Sequence, residues 1–434
     1  MKNDRVTVLG AGLAGCEAAY QLAERGIAVS LVEMRPLRRS TAHKTDLFGE
    51  LVCSNSLRSD RIQNGVGLLK EEMRRMGSVI IACADKTRVP AGGALAVDRE
   101  GFARLVTERI KNHPNITVVE AEATEIPEPP AIIATGPLTD GKLLENIEAF
   151  IGEGLHFYDA AAPVVTKESL NMDRVFEASR YDRGSDYLNC AMTRDEYYAF
   201  VRELVAAETA PLHSFETPKV FEGCMPVEVM AKRGERTLAF GPLKPVGLSD
   251  PRMEGRPYAV VQLRQDDAEG TLYNIVGFQT NLKFGEQKRV FGMIPGLENA
   301  EYVRYGVMHR NTFLNSPGKL DPWYQVREKE GLYFAGQITG VEGYVESAAS
   351  GMVAGIDLAG KLLGKKRIEY TQKTALGALG HYVSGYAGKD FQPMNISFGI
   401  IEGIENPPRN KQERYTLVAE RSLALIGKIK QECE

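Results

Sequence analysis

An α/β fold, a Rossmann-like parallel sheet carrying an inserted α/β domain, is predicted by three features of this 434-residue chain. The first is an apolar strand at Val6–Leu9 that runs into Gly10-Ala-Gly12-Leu-Ala-Gly15 and is followed by Val29-Ser-Leu-Val-Glu33. The second is another strand-and-glycine unit at 331–340, about 320 residues further on. The third is a change near Thr166 from strand–helix alternation to short mixed elements rich in aromatic and turn residues.

Taken in order, the opening reads as strand, glycine turn, helix, strand and terminal acid, which is the order of a dinucleotide-binding unit. Gly10 permits the tight turn, Gly12 lets a pyrophosphate approach the backbone at a helix N-terminus, and Gly15 lets helix pack on strand. Ala11, Leu13 and Ala14 complete that turn, and Glu33 is placed to accept hydrogen bonds from a ribose. A polar, basic stretch surrounds Cys53. Helical spacing then appears at 67–76 and at 98–110, the latter with Asp98 as N-cap, before a strand at Ile116–Glu120. Residues 130–137 give a short apolar strand ending at Gly136. A helix with an acidic first turn begins after Thr193, and alternation at 259–264 and 272–279 gives strands. The predicted division is 1–165 with 304–434 as one discontinuous domain and 166–303 as the insertion. The late unit ends in Gly336-Gln337 and leads into a small-residue helix containing Tyr344 and Ser347.

Composition narrows the class. Hydrophobic content of 43% and charged content of 25% are those of a globular chain, and a net charge of −4 gives no global attraction for polyanions. Any such partner has to meet a local patch, for which the candidates are 35–44, Arg58 with Arg61, Arg74 with Arg75, 365–367 and 409–414. No apolar run is long enough to span a bilayer and the chain enters a strand almost at once, so neither a membrane span nor a signal peptide is expected. The six cysteines show no CxxC and no metal-ligand spacing, so a reducing cytoplasm and no metal are expected.

Two of those cysteines sit in special loops. Cys53 lies in a segment too polar for a buried structural thiol, where Arg58 and Arg61 would lower its pKa and raise its thiolate fraction. A loop cysteine packed on the first domain is the alternative. Cys224 sits between a glycine and Met-Pro, a turn that gives a planar substrate access; a half-buried turn cysteine is the alternative. Cys16, Cys83 and Cys190 read as core, and Cys433 as part of a frayed tail.

Two glycine units on one chain resemble the two-dinucleotide-fold flavoproteins, in which the late unit holds the ribityl chain and flavin of FAD; Gln337 stands where Asp is common. A more specific resemblance rests on GAGLAGCEAA (10–19), ELVCSNSLRSD (50–60), FEGCMPVEVMA (221–231), GPLKPVGL (241–248), NTFLNSP (311–317) and YFAGQITGVEGYVESAASG (333–351). Together they are similar to the bacterial folate- and FAD-dependent tRNA (uracil-5-)-methyltransferases, of the glucose-inhibited-division type of tRNA-modifying flavoprotein. The match runs from Val6 to about Glu413. The wobble-uridine modifiers of that type carry a long helical C-terminal domain and a Pro-Arg-Tyr-Cys-Pro motif; this chain shows neither.

That resemblance implies FAD, 5,10-methylenetetrahydrofolate, NADPH or NADH and tRNA as cofactors and partners, in a monomer or weak oligomer. It implies C5-methylation of the T-loop uridine of tRNA, with the Cys224 thiolate adding to uracil C6 and Cys53 beside the flavin. A thiolate is required because C5 is too weak a nucleophile until C6 carries one. Tyr344 would sit over the flavin or folate ring, and His309 and Arg58 are candidates for folate or substrate contact; each also reads as an ordinary structural residue. Tyr382, Tyr386 and Phe391 are candidates for base stacking, with core packing as the alternative. A wobble-uridine modifier working with a partner GTPase, and a non-catalytic flavin-bearing tRNA-binding protein, remain as other readings.

Overall fold

The computed structural model describes residues 5–40, 42–152, 154–181, 184–211 and 225–433. A five-stranded sheet, parallel throughout, has the spatial order Leu332–Phe334, Ala131–Ile133, Arg5–Leu9, Ala28–Glu33, Ile116–Glu120. Its strands are nearly all apolar: Val6, Val8, Ala131, Ile132 and Ile133 in the central strands, and Leu332, Tyr333 and Phe334 in the edge strand, have no exposed surface. Strand order reverses between Arg5–Leu9 and Ala131–Ile133, so a crevice opens there at the carboxyl ends of the strands.

The helices that cover this sheet meet through glycine. Helix Leu13–Glu24 crosses helix Tyr344–Leu362, and a Cβ on Gly351 would stand 2.1 Å from the Ala14 carbonyl oxygen. Gly15 has the same role toward the turn, since its Cβ would stand 1.8 Å from the Gly10 carbonyl oxygen. Helix Arg99–Lys111 begins where the sequence predicts, with Asp98 accepting from the Gly101 amide at 2.9 Å. The helix predicted at 67–76 starts two residues earlier, at Gly65–Arg75.

Residues between 164 and 304 build a second, antiparallel sheet in the order Val175–Glu177, Tyr187–Met192, Ala259–Gln265, Leu272–Ile275, Val164–Thr166, Tyr302–Arg304. Its own core is formed with helix Arg194–Ala206, whose Tyr197, Phe200, Val201 and Leu204 are buried against the sheet. The chain leaves and re-enters the first sheet's body through an antiparallel pair, Leu155–Ala160 with Met308–Phe313, which sets His309 opposite Asp159.

Two expectations need correction, and a third is decided between its two readings. Cys433 does not fray: it closes a 23-residue helix, Lys411–Cys433, that packs on Gly65–Arg75. Phe391 is buried and forms one aromatic cluster with Phe313, Tyr382 and Tyr386, so the packing reading holds for it. Most of the proposed cationic patches are neutralised in place. Arg35 pairs with Glu33, Arg38 with Glu122 and Asp140, Arg74 with Asp60, Glu71 and Asp85, and Arg367 with Asp321 and Asp357.

One buried acid ties the C-terminal helices to the first domain. Glu72 is fully buried and accepts from the Ala375 and Leu376 amides at 2.7 and 2.9 Å, the first two of helix Ala375–Gly385, whose Gly377 amide is capped by Thr374, and from the Ser422 hydroxyl. Burial pushes its carboxyl up to about 7, against these hydrogen bonds. Because the folded pKa lies above the unfolded one, its stabilising effect is complete below the ordinary carboxyl range and is lost as pH rises through about 7. Glu72→Ala is expected to lower stability by about 2–4 kcal/mol by orphaning buried donors. Urea unfolding from pH 4 to 8 checks both the loss and its pH profile.

Candidate functional site

The reversal point of the parallel sheet opens into a long cleft in two sections, each with ≈ 1170 Å³ of space counting its open mouth. Val52, Pro137, Leu138, Gln337 and Tyr344 line both sections and join them.

The inner section is built from the glycine turns. Gly10 (φ 91°), Gly12, Leu13, Ala14, Glu33, Gly136, Gly336, Gln337, Tyr344 and Ser347 all line it. A Cβ on Gly12 or Gly136 would meet nothing within 4 Å, so at both points the backbone faces open cleft. Helices Leu13–Glu24 and Tyr344–Leu362 start at Gly12 and Gly343 with no side-chain cap. Their first amides are thus left for a ligand, and anionic or strongly polar groups are what such ends favour. Ala11 and Gly15 stand behind the turn rather than in the cleft wall. The Ala11 amide donates to Glu33 Oε2 at 2.7 Å, so the acid expected to meet a ribose also locks the turn. Burial opposes its charge, but Arg35 at 2.9 Å and the Ala11 amide hold the Glu33 carboxyl below its usual range.

The outer section lies between the two sheets, and the loop carrying Cys53 forms one wall. Tyr344 accepts from the Cys53 and Ser54 amides at 2.7 and 3.2 Å through its hydroxyl oxygen. From the antiparallel sheet, Arg264 donates to Asn55 Oδ1 at 2.9 Å and to Ser54 Oγ at 2.7 Å. Arg99, paired with Asp266 at 2.8 Å, reaches the Cys53 carbonyl. The loop is therefore clamped from both domains.

The electrostatics around Cys53 differ from the expectation. Burial, then the negative charge of Asp159, push its thiol up to about 12; Arg99 opposes and Glu342 adds to the rise. Arg58 lines the same section, but its guanidinium is engaged by the fully buried Glu346, and Arg61 packs on Gly93. The arginines nearest in sequence thus do not lower this thiol. His309 lines the outer section, and burial with Arg304 holds its imidazole below its usual range, hence neutral at pH 7. Cys224 lies outside the described residues; just after it, Val227 donates to the Gln279 carbonyl at 2.7 Å, and Gln279 lines the outer section.

Sequence reading missed Asp159, Glu342, Arg264, Gln279 and Asn311 in this wall. Glu342 accepts from Gln337 Nε2 at 2.8 Å, and burial with the neighbouring Asp159 raises its carboxyl. Its place inside the glycine-rich 340–343 turn was the available signal. Among the described residues no cluster of His, Cys, Asp and Glu is arranged to hold a metal, and no helix is long and apolar enough to cross a membrane.

A parallel sheet with two uncapped glycine-turn helices facing one elongated cleft, and an inserted antiparallel domain roofing its far end, defines an FAD-binding flavoprotein of the two-dinucleotide-fold class. The family model for glucose inhibited division protein A matches residues 5–366, and the chain belongs to that family. Relatives carrying the name methylenetetrahydrofolate–tRNA-(uracil-5-)-methyltransferase TrmFO are 59% identical: that of Bacillus velezensis over 431 residues, covering 99% of each chain, and that of Listeria monocytogenes over 429 residues, covering 98% of this chain and 99% of the relative. The Bacillus subtilis protein of the same name is also 59% identical over 431 residues. In fold, the chain is similar to Aquifex aeolicus GidA, with a TM-score of 0.70 at 15% identity, over 99% of this chain and 74% of that one.

Proposed function

We propose that this protein is a folate-dependent methyltransferase that forms 5-methyluridine in the T-loop of tRNA, with 5,10-methylenetetrahydrofolate as carbon source and NADH or NADPH as electron source, acting in the cytoplasm. The observation that carries this reading is 59% identity over nearly the whole length of relatives so named, coupled to a cleft that joins a dinucleotide section to a cysteine-lined one. FAD fits the residues present: Gly10, Gly12 and the following helix end would hold its pyrophosphate, Glu33 its ribose, and Gly336, Gln337 and the helix end at Gly343 its far half. When bound, FAD supplies hydride and one-carbon transfer chemistry that no side chain offers.

The protein's own groups supply orientation and a nucleophile. In this reading the Cys224 thiolate adds to uracil C6, raising electron density at C5. Cys53 stands in the outer section beside Tyr344 as a thiol that stays protonated near neutral pH, the form that donates rather than accepts a proton. His309, neutral there, is suited to accept one. A uridine inside a folded tRNA elbow must be extruded to reach this depth, at a cost of a few kcal/mol in unstacking.

The test is incubation of purified protein with unmodified tRNA, NADPH and either methylenetetrahydrofolate or S-adenosylmethionine. Product is expected only with the folate, and Cys224→Ala is expected to abolish it while the flavin stays bound. Methylation driven by S-adenosylmethionine alone, or modification confined to the anticodon and dependent on a GTPase, would overturn the proposal.

A further inference from the structure

Outside the cleft wall, three aromatic rings stack in one column. Tyr302 and Tyr305 lie with centroids 5.1 Å apart and planes 4° from parallel, and Phe284 lies on Tyr305 at 4.4 Å and 19°. The inner end is anchored: Tyr302 edges the antiparallel sheet against Val165. The outer ring is open, because Phe284 is 53% exposed at the start of helix Phe284–Phe291. Hydrophobic burial does not explain a phenylalanine whose ring remains this exposed at the end of a parallel stack. A column of near-parallel rings with a free face is the geometry on which a further planar ring adds.

Its position relates it to the cleft. Arg304, between the two tyrosines, donates to the Val52 carbonyl at 2.9 Å, and Val52 lines both cleft sections. Gly306 is held by Gln287 of the Phe284 helix at 2.8 Å, and three residues on, His309 lines the outer section. Around the Phe284 helix Lys283 pairs with Glu208 and Arg289 with Glu286 and Glu203, but three nearby cations are left over. Among the described residues Arg304, Lys44 and Lys288 form no ion pair, and Lys288 stands one helical turn from Phe284 on the same face. Burial and the neighbouring charge of Arg304 push the Lys44 ammonium below its usual range, as expected of cations gathered without enough counter-charge.

We propose that Phe284, backed by Tyr305 and Tyr302, is a stacking platform for an unpaired tRNA base beside the target uridine, with Lys44, Lys288 and Arg304 meeting the adjoining phosphates. This rests on tRNA being the substrate and names the surface that receives it. The alternating demand of a single-stranded segment, a flat face for each base and a cation for each phosphate, is what the stack and its three unpaired cations present together. A folate tail would use the cations but leave the outer ring without a partner.

The test is direct binding of unmodified tRNA to the FAD-loaded protein, measured by filter retention over a salt series, alongside the KM for methylenetetrahydrofolate. Phe284→Ala is expected to weaken tRNA binding by about 5- to 100-fold, the effect of one lost base stack, and Phe284→Trp to restore it. Lys288→Ala is expected to flatten the dependence of log K on log salt by somewhat under one unit. Unchanged tRNA affinity in Phe284→Ala, or a raised folate KM with tRNA affinity intact, would overturn the proposal. Since binding is read without turnover, weakened tRNA binding in a protein that made no folate-dependent product would uphold this surface and overturn only the proposed reaction.

Discussion

Gly351→Val is expected to yield protein with little or no bound flavin and with stability lowered by about 3 kcal/mol or more. Helix Leu13–Glu24 and helix Tyr344–Leu362 touch backbone to backbone here: a Cβ at 351 falls 2.1 Å from the Ala14 carbonyl oxygen and 2.8 Å from its carbon. Nothing flexible stands in the way that could turn aside, since the obstructing atoms are the main chain of the helix that follows the first glycine turn. Relief therefore requires the helices to separate by an ångström or more, which costs packing along both. It would also displace Ala14, in the wall of the inner cleft, and Gly336, whose own Cβ position is 3.1 Å from the Ala14 methyl. Stability and cofactor binding are thus expected to fail together. Gly360→Ala in the same helix is the control: a Cβ there meets nothing within 4 Å, so it is expected to stabilise by about 0.5–1 kcal/mol through helix propensity. Urea midpoints and the ratio of flavin to protein absorbance read both variants. Normal flavin content in Gly351→Val would show that the helix crossing does not set the cleft.

What could be read in the sequence was whatever is encoded by near neighbours. The spacing of Gly10, Gly12 and Gly15 behind an apolar strand, Asp98 ahead of its helix, and the late Gly336 turn are all local patterns, and each element forms where it is expected. The antiparallel sheet was only partly visible, because Tyr187–Met192 finds its partner more than sixty residues on, in Ala259–Gln265, and no local rule encodes that register. Charge was read least well. Arg58 is five residues from Cys53 in the chain, yet Glu346 takes its guanidinium, while Arg99, 46 residues away, reaches the Cys53 carbonyl. A sequence shows the charges but not which carboxylates fold against them.

Cys53→Ala is expected to reduce folate-dependent methylation on the order of 10²–10⁴-fold, the range for losing a positioned proton-transferring group, with flavin content and tRNA affinity retained. The variant loses the thiol's contact to the Ala160 carbonyl at 3.6 Å but keeps the backbone hydrogen bond to the Tyr344 hydroxyl at 2.7 Å, so the loop stays held. The protonation state separates this role from that of a standing nucleophile. With its thiol pushed up to about 12 by burial and by Asp159, Cys53 is almost wholly protonated at pH 8, and alkylation by iodoacetamide is expected on the order of 10³-fold slower than for a free cysteine. As an acid whose pKa is raised, it gains thiolate only as pH climbs, so its labelling rate should rise without a plateau below pH 10. Asp159→Asn removes a negative charge that disfavours the thiolate and should speed labelling, and Glu342→Gln should do so only above about pH 8, where the raised Glu342 carboxyl ionises; Arg99→Met removes an opposing cation and should slow it. Peptide mapping by mass spectrometry assigns the label to Cys53 rather than Cys224. An inflection near pH 8 would mean that the environment favours the thiolate, and Cys53 would then have to be treated as a second nucleophile.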